Sequence, residues 1–357
     1  MTVLLTGGAG FIGQHLARHL TAVRYDVAAV DLMHRQVHAD PDAARSDFPG
    51  PVVVGDVADR LVWSTAAAQV RRVEALVHLA AETGTGQSMY EVDRYHRVNV
   101  DGTRRAAEFA VGHGIPLVVI SSRAVYGEGR YECPDHRPTF GRPCCAAATP
   151  APSREDDPHH PMSVYGETKS LGESVATAVC GDRVPLTVVR PQNVIGPGQA
   201  LHNPYTGVLA AFLAMLREGR PLTIYGDGHQ TRDFVHVDDL AALLTHLVST
   251  PPTPGEPLVL NSGTGVRTSL VDLAGLAADA APVPSAGTVH VEVHRAGDIE
   301  HACADLSRLA LVGAPRPARS TAQAVHDFVR SSWDRPGSPA SAWEQALGEL
   351  EERGLTS

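Results

Sequence analysis

A doubly wound α/β fold, with helices on both faces of a parallel sheet and a smaller C-terminal α/β domain, is what this sequence predicts. Three observations carry the prediction. Short apolar runs alternate with amphipathic stretches through the first half of the chain. Gly7, Gly10 and Gly13 sit between the first apolar run and the first amphipathic stretch. After residue 193 the texture shifts to the Gly-, Pro- and Asn-dense segment GPGQALHNPYTG, which marks the start of a second domain.

The elements follow in order. TVLLT is the first strand, and a helix runs from about Phe11 to Ala22. DVAAV, PVVVGD, EALVHLAA and IPLVVISS are the second to fifth strands, and PLTVVRPQNV reads as the sixth. Beyond the texture shift, VLAAFLAMLREG is a helix and PLTIYGDGHQTRDFVHVDDL is strand-rich. A helix at about 238–249 and the strand PLVLNSG return to the main sheet, and helices follow at about 268–280 and 320–333. The expected division is 1–192 plus about 233–262 for the first domain, with 128–160 as an insertion loop. The second domain takes 193–232 plus 263–335, and 336–357 is a polar, peripheral tail.

The 357 residues carry a net charge of −10, which argues against nucleic acid or an anionic membrane as partner. No apolar run is long enough to span a bilayer, and the N-terminus enters a strand without the basic and apolar regions of a signal peptide. The expectation is a cytoplasmic protein whose five cysteines stay reduced.

The glycine turn is the first functional signal. A strand, a tight turn and a helix N-terminus bring backbone amides and a partial positive charge to a pyrophosphate, the logic of a Rossmann dinucleotide site. Gly7, Gly10 and Gly13 shape the turn, and Phe11 and Ile12 open the helix at the cofactor. Asp31, ending the second strand, can accept from both ribose hydroxyls and would repel a 2′-phosphate, which selects NAD over NADP. Asp56, with Val57 beside it, is placed for the adenine amino group. Leu79, Ala80 and Ala81 bring the end of the fourth strand to the same crevice.

The second signal is Tyr165 and Lys169, four apart and so on one helix face. Lys169 is the one lysine among 30 lysine and arginine residues. A phenol titrates near 10 and becomes a useful base only when its phenolate is stabilised, which an ammonium and a positive nicotinamide would do. Ser122, ending the fifth strand, supplies a hydroxyl to orient the reacting oxygen.

These stretches, together with TGGAGFIG, HLAA, VNVDGT, SSRAVYG, YGETK, RPQNVIGPG and RDFVHVDD, resemble the extended short-chain dehydrogenases/reductases of the NAD-dependent epimerase/dehydratase family over about residues 1–330. The resemblance implies that Ser122, Tyr165 and Lys169 are the catalytic set and that Asn99 in VNVDGT joins the cofactor ligands. It implies a nucleoside-diphosphate sugar as substrate, with Arg232 and Arg295 on its diphosphate and Asn193 on phosphate or sugar. Bidentate geometry suits arginine to that task. It also implies a homodimer.

Residues just after the serine separate the reactions. A 4,6-dehydratase of this family carries an Asp-Glu pair there, and a decarboxylase carries a Glu, to move protons. Here the positions are Arg123, counted as a substrate contact, and Ala124. That leaves epimerisation at one carbon or net oxidoreduction. AAETGTGQSMYEVDRYHRVNVDGT, SSRAVYGEGRYECPDH and GPGQALHNPYTGVLAAF resemble the dTDP-L-rhamnose 4-epimerase branch. The alternatives are a ketoreductase or dehydrogenase of a related dTDP-sugar and a non-catalytic NAD-binding regulator. His202, Asn203 and Tyr225 are weaker candidates for the sugar and base pockets.

In the insertion, Cys133-x-x-His136 and Cys144-Cys145 offer four possible zinc ligands. Adjacent cysteines chelate one tetrahedral ion less easily than spaced ones. The expectation is a loop of free thiols over the sugar site, without metal.

Overall fold

The structure, a computed structural model, describes residues 1–203, 207–293 and 297–356. Seven parallel strands form one sheet: β1 (Thr2–Thr6), β2 (Asp26–Asp31), β3 (Val52–Val54), β4 (Val73–His78), β5 (Leu117–Ile120), β6 (Leu186–Pro191) and β7 (Leu258–Ser262). Their spatial order is β7-β6-β5-β4-β1-β2-β3. The order reverses between β1 and β4, and that is where a doubly wound sheet opens a crevice at its strand C-termini.

The strands are apolar on both faces because helices cover both faces. Val3, Leu5, Ala29 and Val77 point to one side, against Leu16 and Leu20 of α1 (Phe11–Ala22). Leu4, Ala28, Val30 and Leu76 point to the other, against Ala106 and Phe109 of α2 (Gly102–His113) and Ala176 of α3 (Val164–Cys180). In β1 the odd and even residues therefore feed different cores, as the two-residue period of a strand requires. Each fully buried leucine contributes about 1.5–3 kcal/mol.

The sixth apolar run does not form one strand. β6 stops at Pro191, and Asn193–Ile195 leaves the main sheet to pair in parallel with Phe234–His236. This fork carries the chain into the second lobe. There α4 (Val208–Arg217) buries nearly all of its surface against α6 (Leu270–Ala280) and α7 (Thr321–Ser332). α5 (Val237–Ser249) returns to the first lobe, where Leu240 and Leu244 pack with the α1 core.

Two sequence expectations change. The 128–160 insertion is not simply a loop, since Arg130–Glu132, Thr139–Phe140 and Thr149–Pro150 form a small antiparallel sheet. The stretch after 336, expected as a peripheral tail, contains α8 (Ser341–Glu352) packed on the second lobe. Its partly buried Trp343 packs against the core of that lobe, and Ala340 and Leu350 are buried. A polar composition hid an amphipathic helix whose apolar residues share one face. No helix among the described residues is long and apolar enough to cross a membrane.

Candidate active site

The glycine turn sits at the C-terminal end of β1. Gly7 has φ 64°, and a Cβ there would lie 2.9 Å from Ala80 N, so backbone packs where any side chain would go. Gly13 is the second tight point, where a Cβ would fall 2.4 Å from Gly8 O. Gly10 caps α1 without a side-chain acceptor, leaving the first amides of the helix at Phe11 and Ile12 for a ligand.

Asp31 ends β2 with its carboxylate buried against this turn. Its Oδ2 accepts from Ala9 N at 3.1 Å and its Oδ1 from Met33 N at 2.9 Å, with His38 Nε2 also 3.1 Å from Oδ1. The cluster holds the turn in place and leaves acceptor capacity on the carboxylate. Asp56 accepts from Ala58 N at 2.8 Å and pairs with Arg97 at 2.9 Å, with Val57 buried beneath it.

Leu79 and Ala80 close the crevice through Thr6, whose carbonyl accepts from Leu79 N at 3.1 Å and whose hydroxyl accepts from Ala80 N at 3.2 Å. Ala81 follows at the crevice, half-buried. Beneath them His78 is held neutral, its pKa pushed down to about 3 by burial and then by the charge of Lys169. Asn99 lies at the wall of the same crevice. Its amide hydrogens go to Glu82 O at 3.1 Å and Thr168 Oγ1 at 3.0 Å, and its Oδ1 accepts from Glu82 N at 2.9 Å. In this structure Asn99 is a strut between the crevice wall and α3. The residues present fit a dinucleotide: a cradle that a Cβ would fill, an uncapped helix N-terminus and a buried carboxylate beside both.

Ser122, Tyr165 and Lys169 come together at the open end of the crevice. Ser122 follows β5 and its Oγ accepts from Ala124 N at 3.1 Å. Tyr165 is the second residue of α3, whose N-cap Ser163 accepts from Gly166 N. Its ring stands edge-on to Tyr95 at 6.4 Å. Burial raises the Tyr165 phenol above its usual range, opposed by a hydrogen bond with Ser122 and by the charge of Arg123. A cation close to the phenol is thus Arg123, which sequence reasoning assigned to substrate. Lys169 Nζ donates to Ile120 O at 2.5 Å.

Burial pulls the Lys169 ammonium from 10.5 down to about 8, against the opposing charge of Glu173. Below pH 8 both folded and unfolded chains hold this proton, and the cost of burying the charge is felt in full. Between pH 8 and 10.5 the folded chain sheds it first, so stability climbs with pH, by roughly 3 kcal/mol across the window. Urea unfolding without NAD should therefore show wild type gaining that much on Lys169→Met over this range. Parallel pH curves for the two proteins would remove the buried charge.

One turn beyond Lys169 lies a network that sequence reasoning missed. Glu173 is buried and accepts from Arg190 Nε at 2.9 Å and Nη2 at 2.7 Å, and also from Ser121 Oγ. Arg190 Nη1 reaches Tyr126 Oη at 2.8 Å and Glu155 O at 3.0 Å, and its Nη2 lies 2.7 Å from His159 Nε2. The pair ties α3 to β6 and to the insertion. Glu173 was legible only as i+4 from Lys169, and nothing in the sequence connects it to Arg190.

Beside the triad a cavity of about 270 Å³ opens between the lobes, lined by Arg123, Asn193, Tyr225 and Arg232. Asn193 Oδ1 is buried there without a hydrogen-bond partner among the described residues. Arg232 donates to Thr231 O at 2.9 Å and Ile299 O at 2.6 Å. Burial and the neighbouring Arg232 charge lower Arg123 to about 10. Two cations so close favour an anion between them. Phe212 and α8 residues Trp343, Leu347 and Leu350 form an apolar wall opposite. Arg295 lies outside the described residues. His202 and Asn203 lie beside this lobe, where the Ser338 hydroxyl donates to His202 O at 3.2 Å.

A dinucleotide crevice with a serine, a tyrosine and a lysine at its mouth, and a cavity for a second ligand alongside, defines a nicotinamide-dependent enzyme of the short-chain dehydrogenase/reductase class. The NAD dependent epimerase/dehydratase family matches residues 3–263. The chain is 39% identical over 327 residues to the dTDP-L-rhamnose 4-epimerase of Burkholderia thailandensis, covering 85% of this chain and 87% of that one. It is 30% identical to the UDP-glucose 4-epimerase of Mycolicibacterium smegmatis, over 92% of this chain and 97% of that one. MoeE5, solved in complex with UDP-glucuronic acid and NAD, superposes with TM-score 0.74 at 28% identity, over 93% of this chain and 99% of that chain. The chain belongs to the NAD-dependent epimerase/dehydratase family, as an enzyme of the extended short-chain dehydrogenase/reductase type with NAD as its cofactor.

Proposed function

We propose that the protein is a nucleotide-sugar 4-epimerase acting on a dTDP-6-deoxyhexose of the dTDP-L-rhamnose type through a 4-keto sugar. The observation that carries this reading is the pair after Ser122. Arg123 and Ala124 stand where a dehydratase or decarboxylase of this family needs a carboxyl group. The named likeness to the Burkholderia enzyme supports the same choice.

In this reading Tyr165 removes the proton from the C4 hydroxyl and returns it to the C4 oxygen after the sugar has turned over, while Ser122 orients that oxygen. NAD, when bound, supplies the acceptor and then the donor of hydride. Gly7, Gly10, Phe11, Ile12 and Gly13 hold its pyrophosphate, Asp31 its ribose and Asp56 with Val57 its adenine. Lys169 holds the nicotinamide ribose and keeps a positive charge near the phenol. Arg232 and Arg295 bind the diphosphate of the substrate, Asn193 its phosphate or sugar, and Arg123 contacts the substrate beside Tyr165. The apolar wall of Phe212 and α8 suits a sugar whose sixth carbon is a methyl group.

The lobes divide functionally as 1–192 plus about 233–262 for NAD and 193–232 plus 263–335 for the sugar nucleotide, with α8 completing the second. The protein works in the cytoplasm as a homodimer joined through helices of the first lobe. Size-exclusion chromatography with light scattering tests the dimer.

The reaction is tested by incubating the protein with dTDP-L-rhamnose, without added cofactor, and following the sugar by NMR. The expected result is conversion to the C4 epimer. A keto sugar that accumulates only when NAD is added would replace the epimerase with a dehydrogenase.

A further inference from the structure

The small sheet of the insertion has strands of only two or three residues, too short to be stable on their own. None of residues 128–160 belongs to the three apolar clusters that hold the rest of the molecule together. Something other than a hydrophobic core must fix it, as in other small units without one.

Four side chains at its tip answer this. Cys133 follows the first strand, His136 lies in the turn to the second, and Cys144 and Cys145 lie between the second and third. Their ligand atoms all lie within 4.8 Å of one another. Cys133 Sγ is 3.6 Å from Cys145 Sγ, and Cys144 Sγ is 3.8 Å from Cys145 Sγ. His136 Nδ1 is 3.2, 3.7 and 3.9 Å from the sulfurs of Cys133, Cys144 and Cys145 respectively.

Those five separations are close to the edges of a tetrahedron around one ion, and the sixth, between the sulfurs of Cys133 and Cys144, is within 4.8 Å. Bonds of about 2.3 Å to sulfur and about 2.0–2.1 Å to nitrogen set ligand–ligand edges of about 3.8 Å (S–S) and about 3.6 Å (S–N). A disulfide would need about 2.05 Å between sulfurs, well short of either sulfur–sulfur distance. The adjacent cysteines, which in sequence looked poorly suited to one ion, place their sulfurs at a spacing that suits it.

We propose that Cys133, His136, Cys144 and Cys145 form a structural zinc site. Three thiolates and an imidazole are a soft donor set that selects zinc over oxygen-seeking cations. Four protein ligands leave no open position, so the ion is structural rather than catalytic. It ties both connections of the small sheet together. The base of the insertion has anchors of its own: Glu155 accepts from Asn261 N at 2.9 Å, and Ser153 O from Asp305 N at 2.9 Å. Loss of the ion should therefore loosen the tip and leave the two main lobes folded.

The full-length protein, purified without chelator and dialysed against metal-free buffer, is expected to hold about one zinc per chain by plasma mass spectrometry. Exchange with cobalt chloride should produce the visible d–d bands and the near-ultraviolet thiolate charge-transfer band of tetrahedral cobalt(II). Cys180 and Cys303 are buried, so a thiol reagent should find almost nothing until the zinc is stripped and then react with Cys133, Cys144 and Cys145. Cys145→Ser should lose most of the metal while the main unfolding transition stays in place. If that variant does not fold, the wild-type thiol measurement decides alone. The proposal is overturned if protein supplied with zinc chloride binds none and its three surface thiols react at once. It is equally overturned if native mass spectrometry finds a disulfide among them.

Discussion

Tyr165→Phe is expected to lower turnover by about 10²–10⁴-fold while NAD binding and the fold are retained. The change removes one oxygen. The ring keeps its edge-on contact with Tyr95 at 6.4 Å, and α3 keeps its Ser163 cap. What is lost is the group that moves the proton, and the hydrogen bond it shares with Ser122. Lys169→Arg should also cut turnover steeply, for a different reason. Lys169 is buried and its compact ammonium sits 2.5 Å from Ile120 O, where a planar guanidinium has no room. Turnover by NMR exchange, NAD affinity by fluorescence and circular dichroism on the three proteins separate these effects. A Tyr165→Phe enzyme within tenfold of wild type would remove the tyrosine from the proton transfer.

Glu173→Ala is expected to destabilise the protein by about 3–5 kcal/mol. It leaves the Arg190 guanidinium buried without its carboxylate, and Arg190 is only 4% exposed. Two urea titrations test this, one on Glu173→Ala and one on the double variant Glu173→Leu with Arg190→Met. Removing both charges should recover much of the loss, since a buried ion pair contributes little net stability over a well-packed apolar replacement. A loss under about 1 kcal/mol for the single variant would show water reaching the arginine, and the network would then be peripheral.

Much of the crevice was legible because its parts are local. A glycine turn, the acidic end of the next strand and a Tyr-x-x-x-Lys are each set by a few consecutive residues whose spacing has one structural meaning. Asn99 was legible as a site residue but not as the strut it forms, because its partners Glu82 and Thr168 lie far apart in sequence. The sixth apolar run shows the opposite failure. Its residues are continuous, but the chain forks at Gln192 because Asn193–Ile195 finds a partner in Phe234–His236.

By itself the sequence determined the parallel α/β fold, the nicotinamide dinucleotide and the three residues at the mouth of the crevice. Their local spacing dictates conformation directly. Only the tertiary structure decided which distant groups meet. It paired Glu173 with Arg190, brought Arg123 beside both Tyr165 and Arg232, laid α8 over the cavity and drew three thiols and an imidazole to one point. Such meetings depend on how lobes and insertions pack in space, and hydrophobic pattern along the chain carries almost no information about that.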